Sequence, residues 1–88
     1  MSLLKLGRAR LGMALPRHRG WLLTTKDPWL DDLFECYALA STALDNLQRE
    51  LPRREALIEE YEEICRNLQA DVVELLPLLE ARWLQRNQ

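Results

Sequence analysis

Glycine and proline are scarce in this sequence. Only three glycines and four prolines occur among 88 residues, whereas 48% of the residues are apolar and 30% are charged. A chain this hydrophobic is not disordered throughout, and its composition is typical of a helical protein. We therefore expect an all-α fold.

Residues that carry chemistry are also rare. The two cysteines, Cys36 and Cys65, form neither a disulfide framework nor a zinc-binding spacing, so we expect two free, buried thiols and a reducing compartment. The single histidine, His18, lies outside the predicted long helices, which excludes the ExxH motif of a carboxylate-bridged iron site. No glycine-rich phosphate-binding loop occurs either. The sequence therefore predicts no enzyme, no metal and no cofactor.

The acidic run IEEYEE contains a candidate metal motif. It includes EExxE at Glu59, Glu60 and Glu63, which is one half of the magnesium site of all-α nucleotide pyrophosphohydrolases. The other half, an ExxD motif on a second helix, is missing, because Asp71 and Glu74 occur in the reverse order. Half of the carboxylate set holds a magnesium ion poorly. We interpret the run as a solvated helix surface.

Long apolar runs are absent, and the two signs of charge are separated along the chain. A membrane-spanning helix needs about 20 predominantly apolar residues, and no run reaches that length. Residues 1–26 contain six basic residues and no acidic one, so residues 27–88, with the other six basic and all 14 acidic residues, have a formal charge of −8. We therefore divide the chain into a basic N-terminal arm over 1–26, partly ordered and docked through residues 21–23, and a helical domain over 27–88.

The basic arm permits three interpretations. It could be a mitochondrial transit peptide, it could bind the phosphates of a nucleic acid, or it could stay solvated or dock on the acidic body of the chain, which we favour. The arginines that could contact an anion are Arg8, Arg10, Arg17 and Arg19. We expect a cytoplasmic location, or the mitochondrial matrix if the arm is a transit peptide.

The strongest pattern covers residues 28–51. Apolar residues at steps of three and four predict an amphipathic helix, and they are Leu30, Leu33, Tyr37, Ala40, Leu44, Leu47 and Leu51. Asp27 followed by Pro28 predicts the N-cap and the first turn of this helix.

The apolar face of this helix is unusually wide. Trp29, Cys36 and Ala43 form a second stripe beside the first, and Phe34 lies on the opposite flank. One neighbouring helix cannot cover such a face, so we expect at least two helices to pack against it.

A second long helix is predicted to begin at Pro52. Its apolar residues change phase after Leu68, which predicts a local stutter in the packing, and they are Leu57, Tyr61, Ile64, Leu68, Val72, Leu75 and Leu79. Pro77 removes one backbone hydrogen bond and crowds the preceding turn. We therefore expect this helix to stop near Leu76 and a short helix to follow it.

Together these patterns predict an all-α fold with a long antiparallel helical hairpin, a short C-terminal helix after Pro77, and two-fold dimerisation into a four-helix bundle. We expect a non-enzymatic protein–protein interaction module, namely an adaptor, a chaperone-like protein or a regulatory subunit, that forms a homodimer or packs on a helix of another protein. The alternative is a nucleic-acid-associated dimer that uses the basic arm. The residues expected at the interface are Trp29, Leu33, Phe34, Tyr37, Ala40, Leu44, Leu47, Tyr61 and Leu68.

Overall fold

A computed structural model describes residues 2–86, with the main chain only at positions 83 and 86. Within this range the chain folds into four α-helices and one 3-10 turn, and it contains no strand. The elements are α1 (Leu3–Ala14), a 3-10 turn (Pro16–His18), α2 (Arg19–Thr24), α3 (Pro28–Arg49) and α4 (Glu55–Arg86). The predicted all-α class is confirmed.

Helix α3 begins where the sequence predicts. The Oδ1 atom of Asp27 accepts hydrogen bonds from the backbone N–H groups of Trp29, at 2.9 Å, and of Leu30, at 3.3 Å, which satisfies two donors that the helix leaves free. The helix ends at Arg49, before the predicted end, because the next residue already has extended backbone angles. Residues 50–54 then connect α3 to α4, so α4 starts later than predicted.

Helix α4 is one continuous helix of 32 residues that passes through Pro77. The predicted stop near Leu76 and the separate short helix after Pro77 are therefore wrong. Two features explain the continuity. First, Pro77 has no N–H group to donate to the carbonyl of Val73. Both residues lie on an exposed side of α4, so this carbonyl can bind water. In addition, Leu76 and Leu79 are both buried, so apolar contacts hold the helix on each side of the proline.

Helices α3 and α4 lie side by side and run in opposite directions. Near the middle of both helices, the side-chain amide of Gln69 donates a hydrogen bond to the hydroxyl of Tyr37 at 2.8 Å. At one end, Arg82 of α4 donates to the carboxylate of Asp27 at 3.5 Å. Because α4 is about 48 Å long at 1.5 Å per residue, the molecule is elongated, with extents of 57 × 25 × 20 Å.

The core-facing side of α4 differs from the predicted one. Steps of three and four continue without a change of phase through Ile58, Tyr61, Cys65, Leu68, Val72, Leu75 and Leu79. No stutter occurs, because Ile58 and Cys65 are buried in place of the predicted Leu57 and Ile64. Leu57 is half-buried, and Ile64 is 39% exposed.

Helix α1 packs across one flank of α3. A Cβ atom added at Gly7 would overlap the backbone carbonyl of Phe34, so the two helix backbones touch at this point and only glycine fits there. Leu11 of α1 and Leu22 of α2 are fully buried with Phe34 in one core. Residues 3–24 therefore share the core of the two long helices. Helix α3 has two helical neighbours, as the width of its apolar face predicts.

The predicted docking segment 21–23 is only partly buried. Leu22 is in the core and Trp21 packs against it, but Leu23 is exposed. The sequence also predicts that Trp83 contacts Trp29 and the segment at Trp21, and this contact lies outside the side chains that the structure describes.

Candidate functional site

The flank of α3 that faces α1 is held by basic side chains of α1. Arg10 donates hydrogen bonds to the hydroxyl groups of Ser41, at 2.8 Å, and Thr42, at 3.3 Å. Its guanidinium also forms an ion pair with Asp45 at 3.2 Å. Arg10 is therefore engaged within the chain.

Arg8, two residues before Arg10, makes a looser contact. Its guanidinium lies 3.7 Å from the carboxylate of Asp31 and 5.1 Å from the ring centre of Phe34. The distance to Asp31 is too long for a hydrogen bond, and the Nε atom of Arg8 and the Oδ1 atom of Asp31 are buried without a hydrogen-bond partner. Of the four arginines predicted to contact an anion, two thus lie against the chain's own acids, while Arg17 and Arg19 are exposed.

Within residues 2–86, no helix packs against the opposite flank of α3. Trp29 is 61% exposed and Leu39 is 58% exposed, Cys36 is exposed, and Ala43 is half-buried. Positions 29, 36 and 43 are seven residues apart, and position 39 follows 36 by three, so these side chains share one side of the helix. This apolar stripe of α3 is open to solvent.

Helix α4 continues the apolar surface on the same side. The guanidinium of Arg82 lies 5.4 Å from the ring centre of Trp29, which shows that these edges of α3 and α4 are adjacent. The antiparallel register places Leu78, which is 62% exposed, level with Trp29, and it places Ile64 level with Ala43. We name the resulting surface the exposed apolar strip, and its residues are Trp29, Cys36, Leu39, Ala43, Ile64 and Leu78.

Acidic side chains border this strip. Asp32 on α3 and Glu60, Asp71 and Glu74 on α4 are exposed. Asp32, Glu60 and Glu74 each lie three or four residues from a member of the strip, and Asp71 lies seven residues from both Ile64 and Leu78. None of these four carboxylates has an ion-pair partner among the side chains that the structure describes. We call them the acidic rim. Asp32 and Asp71 follow the same helical spacing as the apolar members, so the surface of the strip is both apolar and negatively charged.

The two thiols lie in different environments. Cys36 belongs to the exposed apolar strip, whereas Cys65 is buried between the helices, and both are free. Burial raises the pKa of Cys65, and the negative charge of Asp45 adds to this rise. The prediction of two buried thiols is therefore wrong for Cys36, because none of the helices that the structure describes covers its side of α3.

Four of the nine predicted interface residues lie inside the chain. Phe34, Tyr37, Ala40 and Leu47 are buried in the chain's own core, where a partner cannot reach them. The half-buried ones are Leu33, Leu44, Tyr61 and Leu68. Among the predicted set, Trp29 is the residue that is mainly exposed.

Sequence reasoning missed the exposed residues Leu39, Ile64 and Leu78. A signal for Leu39 was present, because it lies three residues after Cys36 and four before Ala43, within the second apolar stripe. For Ile64 and Leu78 the hydrophobic pattern was ambiguous, because the next residue in sequence is also apolar. Those next residues, Cys65 and Leu79, are the buried ones.

A cavity of about 510 Å³ lies at one end of the molecule, between the connection from α2 to α3 and the last turns of α4. Trp21, Lys26, Leu79 and Arg82 line it, together with Asp27, whose carboxylate already caps α3. Across the part of the chain that the structure describes, no three His, Cys, Asp or Glu side chains converge to hold a metal ion. No helix in that same part is long and apolar enough to cross a membrane.

Comparison of the chain with protein-family models, with curated proteins and with solved structures gives no match. The function has to be inferred from the surface itself, and its most distinctive feature is the exposed apolar strip with its acidic rim.

Proposed function

We propose that this protein is a small, non-enzymatic protein–protein interaction module, an adaptor or regulatory subunit, that binds its partner through the exposed apolar strip. The observation that carries the proposal is the exposure of Trp29, Leu39 and Leu78 on one side of the α3–α4 pair. Contiguous apolar surface with a polar border is typical of an interaction site. Exposed tryptophan is also the residue type that most often dominates binding energy at interfaces.

The geometry suits recognition of a helix. Two antiparallel helices leave a shallow groove between them, and an amphipathic helix can lie in such a groove with its apolar side inward. Trp29 and Leu78 border the groove at one end, and Ala43 and Ile64 border it at the other. A partner helix in this groove would pack against both α3 and α4.

A second copy of the chain is the other occupant that we consider. In the dimer predicted from the sequence, the α3–α4 hairpins of two copies pack through their strips into a four-helix bundle. The dimer was predicted because the apolar face of α3 is wide, and α1 covers one of the two flanks of that face. The dimer stays a prediction. Its test is whether Cys36 becomes less reactive as protein concentration rises.

The test of the proposed function is quantitative capture of a partner from the native host by matched variants. Trp29→Ser combined with Leu39→Ser removes the two most exposed anchors on α3. Leu51→Ser combined with Met13→Ser removes as many apolar side chains at exposed positions outside the strip. We expect a partner that the wild-type protein and the second variant retain and the first variant loses. Equal retention by both variants would contradict the proposal.

The nucleic-acid alternative has weaker support, because Arg8 and Arg10 lie against Asp31 and Asp45. Binding that depends on phosphate contacts weakens steeply with salt. We expect no salt-sensitive binding of nonspecific DNA or RNA, as measured by fluorescence anisotropy at low ionic strength. The cytoplasmic or mitochondrial location stays a prediction.

A further inference from the structure

We infer that the occupant of the exposed apolar strip is a basic amphipathic helix of another protein. The inference rests on the proposed function and names the chemistry of the partner. Three observations support it: the charge of the rim, the way in which α1 binds the other flank of α3, and the charge that a second copy would bring.

The acidic rim selects the sign of the partner's charge. Asp32 lies between members of the strip on α3 and Asp71 lies between members on α4, with Glu60 and Glu74 one turn from Ile64 and Leu78. A helix with lysine or arginine beside its apolar side would place cations opposite these unpaired carboxylates. Such complementarity speeds association and fixes orientation, and it rejects partners with acidic edges.

The opposite flank of α3 contains the same kind of contact within the chain. Helix α1 is a basic helix, with no acidic residue in its first turn. It buries Leu11 against α3 while Arg8 lies beside Asp31 and Arg10 pairs with Asp45. One flank of α3 thus already binds a basic amphipathic helix, and the other flank presents apolar residues and unpaired acids without one.

A second copy of the chain fits this surface less well. In a two-fold contact the same patch faces itself, so the acidic rim of one copy would lie close to the acidic rim of the other. Like charges brought together at an interface cost binding energy. The basic helix of a second copy is not available either, because Leu11 of α1 is fully buried in its own chain.

The length of the strip sets the length of the partner helix. From Trp29 to Ala43 the stripe covers about 21 Å at 1.5 Å per residue, which is roughly four turns of helix. The partner segment is then about 14 residues long, with apolar residues at steps of three and four toward the strip and basic residues beside them.

The experiment uses the full-length protein and two labelled model peptides, each about 14 residues long. One peptide is an amphipathic helix of leucine and lysine, and the other has glutamate in place of lysine. Fluorescence anisotropy measures binding at low and at near-physiological ionic strength. We expect the leucine–lysine peptide to bind at both ionic strengths and the leucine–glutamate peptide not to bind.

Two charge-reversal variants separate the rim from general acidity. Asp71→Lys with Glu74→Lys reverses half of the acidic rim, and we expect it to weaken binding of the leucine–lysine peptide about tenfold. Glu59→Lys with Glu80→Lys makes the same change in net charge on another side of α4. All four residues are exposed, so both variants should keep the helical content and the melting temperature of the wild type. We expect the second variant to weaken binding by less than about twofold.

An apolar variant tests whether the peptide lies on the strip. Leu39→Ser should weaken binding about fivefold, whereas Leu51→Ser, at a residue that is 88% exposed in the connection between α3 and α4, should leave it unchanged.

Equal weakening by the two charge-reversal variants would overturn the inference, since only general electrostatic attraction would remain. Equal binding of both peptides, or no binding of the leucine–lysine peptide, would also overturn it. A self-associated protein in which Cys36 is protected would overturn it in favour of a second copy. If a host partner is captured through Trp29 and Leu39 while the leucine–lysine peptide does not bind, the proposed function stands and this inference alone fails.

Discussion

The two flanks of α3 carry similar side chains and differ in what covers them. On one flank, Phe34 is fully buried under α1, and Asp45 is paired with Arg10. On the other, Leu39 is exposed and Asp32 has no ion-pair partner among the residues that the structure describes. One flank of α3 therefore stabilises the fold, while the other is open to a contact outside the chain.

Truncation of one apolar residue on each flank should give the largest difference. Phe34→Ala removes a fully buried ring, and a change of this kind destabilises a folded protein by about 3–5 kcal/mol. Leu39→Ala removes atoms that are mostly in water, so we expect a change within about 0.5 kcal/mol. Urea unfolding followed by circular dichroism measures both. Similar losses for the two variants would show that the flanks are not distinct.

The two thiols should differ in labelling rate by about 100-fold, because Cys65 reacts only when the helices open locally. A maleimide reagent should modify Cys36 quickly in the native protein and Cys65 slowly. Because burial raises the pKa of Cys65, the folded state resists its ionisation, and stability should fall as pH rises above the thiol's ordinary pKa. Mass spectrometry of each site against time measures the rates, and two equally slow thiols would mean that Cys36 is covered.

Alanine at two glycines should separate a close backbone contact from open space. Gly7→Ala forces α1 away from the carbonyl of Phe34, and overpacking of this kind costs about 1–3 kcal/mol. Gly20→Ala meets no atom within 4 Å and lies in α2, where alanine stabilises a helix by up to about 1 kcal/mol. Melting temperatures should therefore move in opposite directions. A stable Gly7→Ala variant would contradict the close contact of the two helices.

Neutralising one acid on each flank should give the smallest difference. Asp45→Asn removes the partner of Arg10, and since the pair is partly exposed we expect a loss below about 1 kcal/mol. Removal of this negative charge should also lower the pKa of Cys65, which Asp45 helps to raise. Asp32→Asn should leave stability unchanged. The pH dependence of Cys65 labelling in the two variants distinguishes them.

The sequence predicted α3 well because its signals are local. The cap at Asp27 depends on backbone donors two and three residues away, and the core-facing residues Leu30, Tyr37 and Leu47 follow the helical repeat. A second helical neighbour also followed from the width of the apolar face. The sequence did not indicate that α1 is this second neighbour. Helix α1 approaches α3 through Gly7, and glycine has no side chain that could contribute to a hydrophobic pattern.

The register of α4 could not be chosen from the sequence alone. Leu57 and Ile58 are adjacent apolar residues, as are Ile64 and Cys65, so two helical stripes fit the first half of the helix equally well. Packing on α3 buries Ile58 and Cys65. The same selection by tertiary contacts keeps α4 helical through Pro77, against the local preference of proline. The strip was only partly predicted, since its α4 members depend on this register.

The backbone contact at Gly7 has a consequence for mutational tolerance. Position 7 accepts almost no substitution for a reason that concerns folding alone, since every other residue adds a Cβ atom where the carbonyl of Phe34 lies. Leu39 is free of that constraint, because its side chain mostly faces water. In a saturation-mutagenesis library, a screen for protein abundance would therefore reject most substitutions at position 7 and accept most substitutions at position 39. Only a screen for partner binding would reject substitutions at position 39.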